Sequence, residues 1–240
     1  MGTRFELVLP AGNFATTRAI GEAALAEIED CDRRFSRFQR SSLLSHIMRS
    51  VDRGPVPVDR DTFELFEEAH AVHVASEGAF DVTAPGRGMD AIVLDAEACT
   101  VRLAREVPLD LGGIAKGHAL DLAARVLRDH GIDRAFLHGG TSSAIGIGTP
   151  FDAEGWRVEL AGGGEVMLQD RALSVSAVWQ GNPHPTIDPR TGEPVAGPRR
   201  AVALGPKARL ADALTTAALV ASSQRLFASF AEYQLSVDLT

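Results

Sequence analysis

The chain is poor in cysteine, with Cys31 and Cys99 the only two in 240 residues and neither part of a C-x-x-C pair. That excludes a disulfide-stapled scaffold. The two fall in different predicted elements and read as buried or half-buried free thiols of a reducing compartment, with a single bridge left open by the spacing. No apolar run approaches the roughly 18 residues that a membrane span requires, so none is expected. No basic and apolar leader precedes the strand-like Phe5–Leu9, which points to the cytoplasm. Positive charge is short as well: 24 Lys and Arg against 32 Asp and Glu give a net charge of −8. A binder that grips nucleic acid without regard to sequence needs a basic footprint, so that class is excluded, while a local positive site for a phosphate is not. The seven histidines form no metal pattern. His70 and His73 share a helix face, His46 stands alone, His118 and His130 lie on one helix, and only His138 and His184 fall on loops. G-x-S-x-G, G-x-G-x-x-G and G-x-x-x-x-G-K-[ST] are all absent.

What is present is an ordinary globular balance, 45% hydrophobic and 23% charged, in a length that can bury a core as one domain or two tightly joined lobes. The chain is organised around V-P-L-D-L-G-G-I-A-K-G, Val107 to Gly117. It reads as a short apolar strand, a glycine turn and a helix. Gly112 and Gly113 can take positive φ and leave room for amides at the helix mouth to approach an anion, with Lys116 as a point charge beside them. On its own the stretch fits a phosphate site and a tight turn with a solvated lysine equally well.

A strand at Thr3–Leu9 precedes a helix from Asn13 to about Arg34. A short helix starts at Ser41 or Ser42, Val51–Val58 is loop, and Asp59 or Asp61 opens a helix to about Ser76. Ala91–Leu94 and Thr100–Leu103 form a strand pair. The central helix carries Ala119, Leu122, Ala123, Val126 and Leu127 as a stripe and ends at Gly131. Strands follow at Ala135–His138, Ala144–Gly148, Trp156–Leu160, Val166–Leu168, Ala172–Val178 and Ala201–Leu204, with irregular chain over Asn182–Gly197. Helices at Leu210–Ala221 and from Ser222 or Ser223 to Phe230 close the chain. Without regular βαβ alternation, the fold class is α+β.

Two further groups can carry chemistry. Asp212 and Thr216 lie one turn apart on a helix, and two such oxygens suit a hard cation such as Mg²⁺, with water and phosphate completing its shell. Spacing alone is explained more readily by an aspartate offsetting the helix dipole and a solvated threonine. I-D-P-R-T-G, Ile187 to Gly192, is a tight-turn signature that can also present Asp188, Arg190 and Thr191 to a ligand.

G-A-F-D-V-T, L-D-L-G-G-I-A-K-G, I-D-P-R-T-G and A-D-A-L-T-T-A, in that order across nearly the whole chain, resemble the FAD:protein FMN transferases, the ApbE-like family. The opening M-G-T and Phe35–Ser45 resemble it too. The resemblance implies a mixed, largely antiparallel α+β fold of the T-fold-like ApbE type. It also implies Mg²⁺-dependent transfer of the FMN half of FAD to a threonine or serine of an acceptor flavoprotein, with release of AMP. An FAD pyrophosphatase and a non-catalytic FAD-binding protein are the alternatives. By the same resemblance Ala115 (through its carbonyl), Asp212 and Thr216 would hold the ion. Lys116, Gly112 and Gly113 would lie by the pyrophosphate. Met1, Phe80, Asp81, Asp110, Asp188, Arg190 and Thr191 would line the FAD pocket. The sequence departs from the family where a histidine is usual three places before Asp188: Pro185 stands there, and His184 one place earlier is the candidate base beside Asp188. An acidic or amide residue is also missing after Gly139-Gly140.

Overall fold

A computed structural model describes residues 3–10, 14–85, 87–179, 185–221 and 223–238. Strand β1 (Phe5–Val8) leads to the long helix α1 (Phe14–Phe35). Asn13, the expected N-cap, lies outside the described residues. Ser42 caps α2 (Leu43–Met48) by accepting the Ser45 N–H at 3.0 Å. The short strand β2 (Val56–Pro57) lies in a stretch expected to be loop. Asp59 caps α3 (Arg60–Ala75) by accepting the Thr62 N–H at 2.7 Å. The expected hairpin is β3 (Ile92–Asp95) against β4 (Thr100–Leu103), and β2 extends it along the free edge of β4.

The segment Val107–Leu111 is not a strand. It is extended and buries Val107, Leu109 and Leu111, but no ladder forms. Its amides go elsewhere: Asp110 N–H donates to the Val82 carbonyl at 2.7 Å, and Leu109 N–H meets the Met48 sulfur at 3.3 Å. Alternating burial is the same for a strand and for a single strut laid through the core, which is why the pattern reads as β. The strut feeds α4 (Ala115–Asp129), which ends at Gly131 in the left-handed region with φ 77°.

The main sheet follows. β5 (Ala135–Gly139) and β6 (Ser143–Ile147) form a hairpin, β7 (Trp156–Glu159) and β8 (Glu165–Leu168) a separate one, and β9 (Arg171–Val178) and β10 (Arg199–Gly205) return to the sheet. After α5 (Ala208–Val220) and α6 (Gln224–Ser229), capped by Ser223, comes β11 (Gln234–Asp238). β11 is absent from the sequence reading because only Leu235 and Val237 alternate with polar residues there. The six-stranded order is β1-β5-β6-β9-β10-β11, antiparallel throughout.

Successive residues of a strand face opposite ways. On β6, Ile145 and Ile147 join the main core with α4 and α5, while Ala144 joins Leu168, Leu173 and Val202 under the β7–β8 hairpin. α4 is buried well beyond its predicted stripe, with Leu120 and Ala124 covered too, because α1 packs over its outer side. The fold class is the expected one: α+β, with antiparallel sheets flanked by helices.

Candidate functional site

The site forms where the first turn of α4 meets α5. The Asp212 side chain on α5 is 1% exposed. Its carboxylate accepts from the Lys116 ammonium at 3.0 and 3.2 Å and from the Gly117 N–H at 3.2 Å. The Thr216 hydroxyl bonds back to the Asp212 carbonyl at 3.1 Å. Thr215 does the same at 3.0 Å, and its oxygen also meets the hydroxyls of Ser174 and Ser176, fixing α5 to the sheet.

The capping is reciprocal. α5 has no side-chain cap of its own. Instead Asp121 of α4 accepts the Ala208 and Arg209 N–H groups at 2.8 and 3.0 Å. Burial pushes the Asp121 carboxyl up to about 6, against the pull of those two amides. Gly117 permits the approach, since a Cβ there would overlap the Ala208 carbonyl. This glycine was part of the recognised stretch, but its packing role is visible only once both helices are placed.

Gly112 and Gly113 do not take positive φ, contrary to the expectation for this turn. Their smallness serves proximity. A Cβ on Gly113 would come 3.1 Å from the Phe80 ring and 3.3 Å from Thr216. The Gly112 N–H donates to the Asp110 carboxylate at 2.9 Å, and the Ile114 and Ala115 amides donate to the Leu111 carbonyl. The anion at the mouth of α4 in this structure is thus Asp212 itself.

Beside this junction lies a cavity of about 460 Å³. Phe80, Asp81, Asp110, Gly112, Gly113 and Thr216 line it, and Pro185, Ile187 and Pro189 form a further wall. Asp81 is held by the Thr83 amide and hydroxyl at 2.7 and 2.6 Å. Of the D-P-R-T-G loop only Pro189 lines this cavity; Asp188, Arg190 and Thr191, expected there, do not. Asp188 forms a two-point pair with Arg190 at 2.9 and 2.7 Å, which holds its carboxyl below the usual carboxylate range and makes it a weak base. Thr191 is exposed and accepts the Glu193 N–H at 3.2 Å. Met1 and His184 lie outside the described residues. His138 pairs with Glu6 at 3.0 Å on β1.

Two residues not named as site candidates also stand here. Arg37 bridges to Asp110 at 3.0 Å and lines the cavity. Its only sequence signal was its place in F-S-R-F. Cys31 sits with its sulfur 3.8 Å from the Ala115 carbonyl, and burial pushes the thiol up to about 12, so it stays an S–H donor. Among the described residues no group of three or more His, Cys, Asp and Glu side chains could hold a metal. An ion at this junction would have one buried carboxylate, Asp212, and otherwise only hydroxyl and carbonyl oxygens to draw on. That donor set suits a hard cation that keeps water and substrate oxygens in its shell.

An antiparallel α+β fold with these motifs in order defines a family, and the ApbE family profile matches residues 1–87 and 84–238. The chain belongs to the ApbE family. It is similar to the FAD:protein FMN transferase of Klebsiella pneumoniae (strain 342), 22% identical over 277 residues that cover 94% of this chain and 77% of that protein. Among solved structures, a point mutant of the flavin transferase ApbE from Vibrio cholerae superposes with a TM-score of 0.87 at 21% identity, covering 100% of this chain and 91% of that one. The ApbE protein of Thermotoga maritima gives a TM-score of 0.82 at 23% identity, with 99% and 93% covered. At these identities the structural likeness speaks to the fold. Among the described residues no helix is long and apolar enough to cross a membrane.

Proposed function

We propose that the chain is a flavin transferase that moves the FMN half of FAD onto a threonine or serine hydroxyl of an acceptor protein and releases AMP. Membership of the ApbE family supports transferase chemistry. The observation that carries the finer reading is the buried Asp212, one turn from the cavity-lining Thr216, beside a cavity floored by Gly112 and Gly113.

The reaction breaks one pyrophosphate P–O bond and forms one phosphoester, so it needs charge neutralisation and alignment more than covalent help. Asp212, Thr216 and the Ala115 carbonyl would hold a Mg²⁺ ion, which supplies charge neutralisation at phosphate oxygens. The chain's own residues do the rest. Gly113 lets the phosphates approach Thr216, since no side chain intervenes. Phe80 and the Pro185–Pro189 wall exclude water from the flavin nucleotide. Asp81 and Arg37 offer polar contacts at the cavity's rim. Arg190 holds Asp188 in a two-point pair, which leaves it a weak base, and by the family resemblance His184 is the candidate to take the acceptor's proton.

The test is incubation of protein, FAD and Mg²⁺ with and without an acceptor peptide carrying a threonine. AMP released only with the peptide, together with a flavinylated peptide mass, is the expected outcome. AMP without the peptide would make the chain an FAD pyrophosphatase, and bound, intact FAD would make it a carrier.

A further inference from the structure

The Lys116 ammonium faces both oxygens of Asp212, at 3.0 and 3.2 Å. Asp212 is 1% exposed, whereas Lys116 is 23% exposed. A buried carboxylate without a countercharge is strongly destabilising, and beyond Lys116 the partner shown for this one is the Gly117 amide. Lys116 therefore supplies its positive charge. A divalent ion on the same carboxylate would stand beside a like charge in a poorly solvated place, where repulsion is weakly screened. The lysine head sits on a flexible four-carbon stem and is already partly in solvent, so it has somewhere to go.

We propose that Lys116 is the resident counter-ion of Asp212, that the divalent ion takes the carboxylate by displacing it, and that the displaced ammonium then pairs with the phosphates of FAD. This rests on the flavin-transferase reading above. Ion and FAD then favour each other's binding: the ion frees the ammonium, and the phosphates give it a new partner. By linkage the coupling is equal in both directions.

The experiment is calorimetric titration of the full chain with Mg²⁺, without FAD, and then with FAD in the presence and absence of Mg²⁺. Lys116→Met is expected to bind Mg²⁺ about tenfold more tightly than wild type, since no competitor remains. In wild type Mg²⁺ tightens FAD binding, and in Lys116→Met that enhancement is smaller, since only the ion's own effect on the phosphates remains. Lys116→Arg, which keeps the charge in a two-point fork, is expected to bind Mg²⁺ more weakly than wild type and covers the case in which the methionine variant does not fold. If wild type binds Mg²⁺, Asp212→Asn abolishes it, and Lys116→Met and Lys116→Arg match wild type, the displacement is wrong and the ion site stands. If wild type and every variant ignore Mg²⁺, the ion site itself is wrong and the inference falls with it.

Discussion

On the proposed reading Asp212 serves both fold and chemistry. Its carboxylate is buried and bonded across to another helix, so its replacement would act on both. In Asp212→Ala, metal-dependent AMP release should fall by at least ~100-fold, the scale expected for loss of a preorganised charge at a reacting phosphate. A variant with wild-type turnover would remove Asp212 from the ion site. His118 is the opposite kind of residue. It is wholly buried, its two ring nitrogens find no partner among the described residues, and its ring edges onto Phe35 at 5.7 Å. Burial lowers it from 6.5 to about 3. The unfolded chain thus binds a proton that the folded chain refuses between those two values, and stability drops as pH falls through that window. The slope is at most about 1.4 kcal/mol per pH unit. His118→Phe should flatten this acid limb in urea melts run from pH 7 to pH 4. An unchanged slope would assign the limb to other groups.

At the scale of elements, the α4–α5 pair decides where the site residues stand. Gly117→Ala would drive a methyl into the Ala208 carbonyl, a backbone group that cannot step aside, and should cost roughly 1–3 kcal/mol or more. Asp121→Ala leaves two amides at the start of α5 without their acceptor and should cost about 1–3 kcal/mol. Both should also weaken Mg²⁺ binding in protein that still melts cooperatively, measured by calorimetry beside a denaturant melt. Retained affinity in a destabilised variant would separate the packing of the pair from the ion site. Element reading from sequence worked where a cap or a strong period was present. Ser42, Asp59, Ser223 and Gly131 all mark ends that the structure keeps. It failed at Val107–Leu111, where burial alternates without a neighbouring strand, and at β11, where two apolar residues at a sheet edge carry too little signal.

For the whole molecule, long-range pairings matter that no local pattern contains. Asp212 meets Lys116 and Gly117 across about a hundred residues of chain, and Asp121 meets Ala208 at a similar separation. The residue types were legible as four ordered motifs; their partners were not, because hydrogen-bond assignment needs the packing of α4 on α5. The sole tyrosine, Tyr233, illustrates the same dependence. It packs on Gly205, its hydroxyl accepts the Lys207 N–H at 3.1 Å, and burial raises its pKa above the usual phenol range. A phenol raised in the fold favours the folded state less as pH climbs past its unfolded value. Its ultraviolet titration should therefore coincide with alkaline unfolding followed by circular dichroism. Ionisation that runs well ahead of unfolding would mean that β11 opens on its own.

The crossed bonds at Asp121 and Gly117 carry a mechanical consequence. Two rods that are each other's end-stops cannot slide independently, so thermal motion at this junction is confined to the pair moving as a block. Whatever geometry Asp212 and the mouth of α4 hold together is thereby tied to the packing of the two helices rather than to the loops around the cavity.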